Sequence, residues 1–356
     1  MPRSGDGRRH GQAAPVLGLT DAPAPVVELD ARLLAAGAAG LTAALADRLG
    51  EPALVVLRDG TALPLGVADA LRQLPVVVAA RQPVEPTLAT AVDLVLRDDA
   101  EQAGVAAGFA RAPAAATAAA VLLRAGDDDW WDGLVRESTT YSMLQGSAEF
   151  RRWRDEHAAT PSDDAEPRVR VRTHGRVTEL TLARPARHNA LDRRMRDELH
   201  AALAAATGPV VLLGDGPSFC SGGDLDEFGT FPDPALAHLV RLSRSLAAQV
   251  AQARDRVVAG LHGACLGAGI ELPAFAGHVV ASVDARLGLP ELALGLVPGA
   301  GGTVSLPARI GRHRTLALLL VDSTIPAPAA LEWGLVDEVV PRAELRARCL
   351  EIADSL

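Results

Sequence analysis

The chain has 356 residues, a length that is typical of two or three domains. Because 49% of the residues are hydrophobic and 22% are charged, the chain can bury a sizeable core. Its net charge of -9 argues against a nucleic-acid-binding protein, which would need a basic patch. All 35 basic residues are arginines, which excludes Schiff-base and lysine-nucleophile chemistry and leaves arginine, backbone N–H groups and helix N-termini to bind phosphate.

Residues 1–24 are basic but lack the apolar stretch of a signal peptide, and we expect a disordered leader there. No apolar run approaches the roughly 18–20 residues that span a bilayer. The three cysteines, Cys220, Cys265 and Cys349, have no paired or metal-like spacing. We therefore expect a cytoplasmic protein with no membrane partner and no metal site.

Residues 25–157 form a first part whose strand-like segments parallel those of the second part. The pairs are ALVVLRDG (53–60) with PVVLLGDG (209–216), LPVVVAA (74–80) with RVVAGLHG (256–263), and AVDLVLRDDA (91–100) with HVVASVDA (278–285). The sequence therefore predicts that the first part is a diverged copy of the second. Chance similarity in an alanine-rich chain is the alternative.

The acidic, proline-containing stretch at 158–167 predicts a linker, and residues 168–356 form the second part. Val169–Val171 and Val177–Leu182 predict a hairpin. A loop then leads into a helix over about 192–206 with Asp192 as its N-cap. A buried strand is predicted at Val210–Leu213.

The remaining predicted elements alternate between helix and strand. They are a long amphipathic helix at 234–253, a strand at 256–261, a glycine-rich turn at 263–269, a helix beginning at 270–275 and a strand at 279–283. This alternation predicts a right-handed βαβ arrangement.

The loop GPSFCSGGD (216–224) follows a predicted strand and allows three kinds of chemistry. Ser218 or Ser221 could be a nucleophile, but neither has the G-x-S-x-G context of a nucleophile elbow. Cys220 could act as a thiolate, although a cysteine beside Phe219 is more often a packing residue. Phosphate binding is not supported, because the chain has neither a complete G-x-G-x-x-G motif nor a P-loop lysine.

The third possibility is that the backbone itself is the functional group. A second glycine-rich turn, HGACLGAGIE (262–271), also follows a strand and opens a helix. Helix N-termini present unpaired N–H groups. Two such turns side by side could direct two N–H groups at one oxygen and form an oxyanion hole. Ordinary tight turns are the alternative.

Two glutamates, Glu271 and Glu291, each lie within an apolar stretch. Either could be a surface charge or a helix cap. A carboxylate that is buried must be paired or used, and burial raises its pKa toward neutrality. Two such groups beside an oxyanion hole would suit addition to, or proton transfer beside, a carbonyl group.

Five motifs in this order resemble the enoyl-CoA hydratase/isomerase, or crotonase, superfamily over residues 175–345. They are RPARHNALD (184–192), FCSGGDL (219–225), HGACLGAGIEL (262–272), LPELALGLVPGAGGT (289–303) and ALEWGLVDEVV (330–340). The resemblance implies an α/β fold with a spiral of ββα turns in the second part. The first part would then be a degenerate crotonase-like domain.

The resemblance also implies roles for individual residues. The N–H groups of Gly223 and Ala268 would bind the thioester oxygen, Glu271 would activate water and Glu291 would protonate Cα. Gly299 would help to position the water. Arg184 and Arg187 would contact the CoA moiety.

The implied activity is that of an enoyl-CoA hydratase or the reverse dehydratase. An enoyl-CoA isomerase or a thioester hydrolase is the enzymatic alternative, and a pseudoenzyme or assembly partner is the non-enzymatic one. No separate cofactor is expected, because coenzyme A is part of the acyl-CoA substrate. The family resemblance further implies a homo-oligomer, either a trimer or a hexamer.

The sequence departs from the family pattern in one respect. Family members carry a helical tail after the segment GLVDEVV, whereas a tail-like sequence here occupies Ala100–His157, including the Glu137–Ser138 pair. The first part also lacks counterparts of both glycine-rich turns and of Glu271. We therefore expect its helices to complete the catalytic part, within the chain or in a neighbouring subunit.

Overall fold

The computed structural model describes residues 26–30, 45, 50–58, 66–126, 129–158, 166–321 and 324–356. The predicted leader at 1–24 and most of the predicted linker at 158–167 lie outside these residues.

In its described residues, the first part contains a parallel four-stranded sheet, with two helices between its strands and four helices after the last strand. Its strands are β1 (Val26–Asp30), β2 (Leu54–Arg58), β3 (Val77–Arg81) and β4 (Leu94–Leu96), paired in sequence order. Its helices are α1 (Val67–Gln73), α2 (Pro86–Ala91), α3 (Asp99–Arg111), α4 (Pro113–Ala125), α5 (Trp130–Gln145) and α6 (Ala148–Glu156). Strands β2 and β3 are almost wholly buried, as expected where both faces of a parallel sheet are covered.

The second part is built on a six-stranded sheet of order β13-β10-β8-β7-β6-β5, with a smaller sheet of order β12-β11-β9 beside it. The strands are β5 (Val169–His174), β6 (Val177–Leu182), β7 (Val210–Gly214), β8 (Val257–Leu261), β9 (Ala264–Leu266), β10 (His278–Ser282), β11 (Arg286–Gly288), β12 (Ile325–Pro326) and β13 (Glu338–Val340). The helices are α7 (Arg193–Ala205), α8 (Pro234–Ser243), α9 (Leu246–Gln252), α10 (Ala268–Glu271), α11 (Gly302–Leu320), α12 (Ala327–Trp333) and α13 (Leu345–Ser355).

The two parts share a topology. Strands β6, β7, β8 and β10 pair in parallel in sequence order, as do β1, β2, β3 and β4. The three segment pairs matched in the sequence fall on β2 with β7, β3 with β8, and β4 with β10. The predicted α/β fold class is confirmed. The shared strand order supports the expectation that the first part is a degenerate copy of the second, which stays a prediction.

The helices of the first part pack against the second part within the same chain. Helix α11 runs along α4, and a Cβ at Gly108 of α3 would lie 1.8 Å from the carbonyl oxygen of Leu320. Arg312 of α11 donates to the carbonyl oxygens of Thr90 (2.6 Å) and Val92 (2.7 Å). One apolar core therefore runs through both parts.

Local predictions in the second part hold with three exceptions, of which the first is the turn predicted at 263–269, because that segment contains strand β9. Asp192 caps α7, because its side chain accepts from the Met195 N–H at 2.7 Å. The single helix predicted at 234–253 is wrong, because the chain breaks into α8 and α9, and Ser245 caps the second of these. The predicted helix at 270–275 begins at Ala268 and tightens into a 3-10 turn at Pro273–Phe275.

In the described residues, no single helix is long and apolar enough to cross a membrane, although the bent helix pair α3–α4 has a sufficient combined length and an apolar composition. No cluster of three or more His, Cys, Asp or Glu side chains is arranged to hold a metal ion in the same residues.

Candidate active site

The two glycine-rich turns lie side by side because their strands meet at one backbone bridge. The Cys220 N–H donates to the Ala264 carbonyl at 3.2 Å, and the Leu266 N–H donates to the Cys220 carbonyl at 3.0 Å. This pairing places the turn that ends at Gly223 next to the start of α10. Both turns line one cavity of about 270 Å³.

Two backbone N–H groups in this cavity lack protein acceptors. Among the hydrogen bonds of the described residues, neither the Gly223 N–H nor the Ala268 N–H is a donor. Ala268 is the first residue of α10, where backbone donors have no intrahelical partner. The pair is thus available to an oxygen atom of a ligand, as an oxyanion hole requires.

Two carboxylates flank the same cavity. Glu271 is 2% exposed, and its Oε2 accepts from the N–H groups of Ala300 (2.8 Å) and Gly302 (2.9 Å). Glu291 is 7% exposed, and its Oε2 accepts no hydrogen bond from any described residue. A buried carboxyl in the lining of a cavity, with one oxygen unpaired, is suited to bind or protonate a ligand.

Burial raises the pKa of both glutamates well above the ordinary value, and the charge of Glu291 raises that of Glu271 further. The N–H donors of Ala300 and Gly302 oppose this effect at Glu271. Since two neighbouring carboxylates cannot both ionise readily, the pair holds a proton near neutral pH. One member can then accept a proton while the other donates one.

The raised pKa of Glu271 has a consequence for stability. At pH values above the ordinary glutamate pKa, the folded state retains a proton that the unfolded state has lost, so the free energy of unfolding falls as pH rises. Each unit of pKa difference corresponds to about 1.4 kcal/mol. We expect the Glu271→Gln variant, compared with wild type, to gain about 1 kcal/mol or more between pH 5.5 and 8.5.

Urea unfolding of both proteins at the two pH values measures this difference. If the free energy of unfolding changed equally with pH in the variant and in wild type, the pKa of Glu271 would not be raised in the folded protein.

Position 267 requires a glycine for two reasons, its backbone conformation and the closeness of both carboxylates. Its φ is +50°, and an added Cβ would lie 2.5 Å from Glu291 Oε1 and 3.7 Å from Glu271 Oε1. We expect Gly267→Ala to lower the free energy of unfolding by about 1–3 kcal/mol through backbone strain and to displace the Glu291 carboxylate. Urea unfolding and turnover measure the two effects.

Gly104→Ala is the matched control, because Gly104 lies on α3 with no atom within 4 Å of the added Cβ. A Gly267→Ala protein as stable and active as this control would refute the requirement.

Helix α5 of the first part closes the cavity on its other side. Five residues of α5 line it, namely Leu134, Glu137, Ser138, Tyr141 and Gln145. The Tyr141 ring lies against Gly299, where an added Cβ would approach the ring to 2.7 Å. The helices of the tail-like segment therefore complete the cavity from within the same chain.

Comparison with known proteins shows the family to which the second part of the chain is similar. The family model described as enoyl-CoA hydratase/isomerase matches residues 172–356. A probable enoyl-CoA hydratase of Rhizobium meliloti (strain 1021) is 35% identical over 193 residues, which cover 52% of this chain and 74% of that protein. The chain belongs to the enoyl-CoA hydratase/isomerase family.

Two solved structures illustrate the extent of the likeness. An enoyl-CoA hydratase from Bacillus anthracis is 34% identical, with 53% of this chain and 76% of that chain covered and a TM-score of 0.49. A putative enoyl-CoA hydratase from Thermobifida fusca YX in complex with CoA is 32% identical, with 53% and 78% covered and a TM-score of 0.48. The family model begins after α6, so the α5 residues that close the cavity lie outside it.

The two arginines expected at the CoA moiety of a family member do not line the cavity. Arg184 is buried, and its guanidinium pairs with Asp224 at 2.5 Å. Arg187 pairs with Asp226, which also pairs with His157 after α6. Both arginines thus hold the loop after Gly223 in place, and a CoA contact by either one stays a prediction.

The alternative nucleophiles are placed unfavourably. Burial raises the pKa of the Cys220 thiol to about 12, so it is protonated at neutral pH. Ser218 is buried and bonds His188 Nδ1 at 2.9 Å, but Ser218 does not line the cavity. Ser221 does line it, but the structure gives its hydroxyl no basic partner among the described side chains.

Gly299 lines the cavity, and its N–H has no acceptor in the described part of the chain; its role in positioning water stays a prediction. Sequence reasoning did not assign functions to Glu137 and Tyr141. The available signal was their position in the tail-like segment, where the Glu137–Ser138 pair stood out. Together, the site offers two N–H donors for an oxyanion and two carboxyls for proton transfer.

Proposed function

We propose that this protein is an enoyl-CoA hydratase, or the reverse dehydratase, acting on an α,β-unsaturated acyl-CoA thioester. The observation that carries the proposal is the presence of two buried glutamates of raised pKa in the cavity that holds both free N–H groups. Membership of the enoyl-CoA hydratase/isomerase family supports the thioester substrate.

The proposed reaction begins with water held between Glu271, Glu291 and the Gly299 N–H. Glu271 takes a proton from the water while the water oxygen forms a bond to Cβ. The electron pair of the double bond moves toward the thioester carbonyl, whose oxygen becomes negative and accepts from the Gly223 and Ala268 N–H groups. Glu291 then donates its proton to Cα, and a β-hydroxyacyl thioester results.

The hydrogen bonds of the two carboxyls bear on these roles. The Oε2 of Glu271 accepts from two backbone N–H groups, which favour its ionised form and suit it to act as a base. The hydrogen bond between the two carboxyls acts in the opposite direction, because it raises the pKa of Glu271 and lowers that of Glu291. We assign Glu271 as the base and Glu291 as the acid from their positions in the motifs that resemble the family.

Product identification tests the proposal. Crotonyl-CoA and longer or branched enoyl-CoAs would be incubated with the full chain while the absorbance of the conjugated thioester is followed. Loss of the band with formation of a β-hydroxyacyl-CoA supports hydration. A shifted double bond would identify an isomerase, free CoA would identify a thioester hydrolase, and an unchanged set of thioesters would reject the hydratase assignment.

A further inference from the structure

A third buried carboxylate, Glu137, lies beside the two glutamates of the proposed reaction. It belongs to α5, which precedes the family-matched region, and it is 2% exposed. It lines the same cavity as Glu271 and Glu291. A carboxylate buried this deeply requires compensation, so its partners indicate what it does.

All the partners of Glu137 lie at the N-terminus of α11. Its Oε1 accepts from the Gly301 N–H at 2.7 Å, and its Oε2 accepts from the Thr303 N–H at 2.8 Å and the Thr303 hydroxyl at 2.7 Å. Glu137 thereby caps a helix that has no capping side chain of its own.

The same turn also holds Glu271. The Ala300 and Gly302 N–H groups donate to Glu271, whereas the Gly301 and Thr303 N–H groups donate to Glu137. Four successive N–H groups thus alternate between the two carboxylates. The turn cannot rotate toward one carboxylate without loosening its bonds to the other.

We infer that Glu137 is a positioning residue for Glu271, acting through the turn at residues 300–303 and, where it is ionised, through its negative charge beside that carboxylate. Its role in catalysis rests on the proposed hydration. Glu137 need not touch the substrate for this, since it fixes the donors that orient the base.

The charges around Glu137 define how it affects the site. Glu271 of α10 and Glu291 face it as like charges, while Arg241 of α8 faces it as an opposite charge. Tyr141 of the same helix lies beside them and under the Arg241 guanidinium, 4.6 Å from the ring centre. Burial and the Glu271 charge raise the pKa of Glu137 to about 8, against the effect of its three hydrogen bonds.

Removing the charge therefore has a predictable sign. A neutral side chain at position 137 takes away a like charge that raises the pKa of Glu291. Because the pKa of Glu137 is itself raised to about 8, this charge is present mainly at alkaline pH. The alkaline limb of the pH profile of kcat/KM is therefore expected to move to lower pH, by about half a unit to one unit. A residue that only stabilises the fold would lower the rate without moving the profile.

The experiment uses the Glu137→Gln variant of the full chain. An amide NH₂ must face one of the Gly301 or Thr303 donors, so we expect the turn to shift and kcat to fall between about 10- and 100-fold with a smaller change in KM. The pH profile should move as stated. An unmoved profile, or a kcat within twofold of wild type, would overturn the inference.

Glu149 provides a matched control. Its carboxylate caps α4 in the same way, accepting from the N–H groups of Ala114 (2.8 Å) and Ala115 (3.0 Å), but it does not line the cavity. Glu149→Gln should lower thermal stability and leave the pH profile in place. An equal shift in both variants would show that the effect comes from general loosening, and would reject the inference.

Thr303→Val covers the case in which Glu137→Gln does not fold. It removes one hydrogen bond to Glu137 and nearly preserves the side-chain shape. With one donor fewer, Glu137 is less often ionised, so the profile should move in the same direction by a smaller amount and kcat should fall a few-fold. A normal kcat and an unmoved profile would contradict the inference.

A second measurement tests the coupling between Glu137 and Glu271 without relying on catalytic activity. In a double-mutant cycle of Glu137→Gln and Glu271→Gln, measured by urea unfolding at pH 8.5, the two effects should be strongly non-additive. Additive effects would reject the coupling. If wild type hydrates no enoyl-CoA, the proposed function fails, and the cycle still decides whether Glu137 positions Glu271.

Discussion

Replacing either Glu271 or Glu291 with glutamine is expected to lower the rate of crotonyl-CoA hydration by about 10²–10⁴-fold, the usual contribution of a general acid or base. Glutamine has nearly the same shape as glutamate but cannot exchange a proton. At position 271 its oxygen can still accept from the Ala300 and Gly302 N–H groups. The variant should therefore fold and bind substrate, and lose kcat far more than it changes KM.

The two variants should lose activity to a similar extent, and the double variant should be little worse than either single one, because both groups act in one proton-transfer sequence. The assay follows the conjugated thioester band at several pH values. The Glu149→Gln variant serves as the control for removing a partly buried hydrogen-bonding carboxylate elsewhere in the fold. A wild-type product with a shifted double bond, whose formation is lost in the Glu291→Gln variant, would instead identify an isomerase.

Deleting residues 1–158 is expected to give an insoluble or inactive fragment. Helix α11 presents Leu316, Leu319 and Leu320 to the core that it shares with α3 and α4, and each is at most 3% exposed. Burial of one such side chain contributes about 1.5–3 kcal/mol, so uncovering all three removes an amount comparable with the 5–15 kcal/mol that stabilises a typical domain.

The deletion also opens the site. Without α5, the turn at 300–303 loses Glu137 and Gly299 loses the Tyr141 ring, so water reaches Glu271. Circular dichroism, size-exclusion chromatography and the hydration assay would compare the fragment with the full chain. Adding residues 1–158 as a separate polypeptide tests whether the missing part can restore the cavity. A soluble, fully active fragment would show that the first part is dispensable.

The site residues that could be picked out from the sequence are those that lie in local motifs. Gly223 and Ala268 belong to strand-to-helix turns whose glycines are visible in the sequence, and the structure brings both to one cavity. Glu271 and Glu291 were noticeable as isolated charges in apolar stretches. Their burial follows from the same apolar neighbours.

What the sequence could not provide was the contact between elements far apart in the chain. Glu137 and Gly301 are separated by 164 residues, and no local pattern indicates that one accepts a hydrogen bond from the other. The same holds for Tyr141 beside Gly299. The break between α8 and α9 was missed for a local reason, because an amphipathic pattern can continue across a capping serine such as Ser245.

The position of α5 in the same polypeptide as the catalytic turns changes how the site depends on protein concentration. A helix supplied by another subunit leaves when that subunit dissociates, so dilution would open the site. Here the helix is tethered, and its local concentration near the cavity is set by the chain itself. Closure of this cavity by α5 is thus a unimolecular equilibrium, equally complete in a dilute solution and in a crowded one.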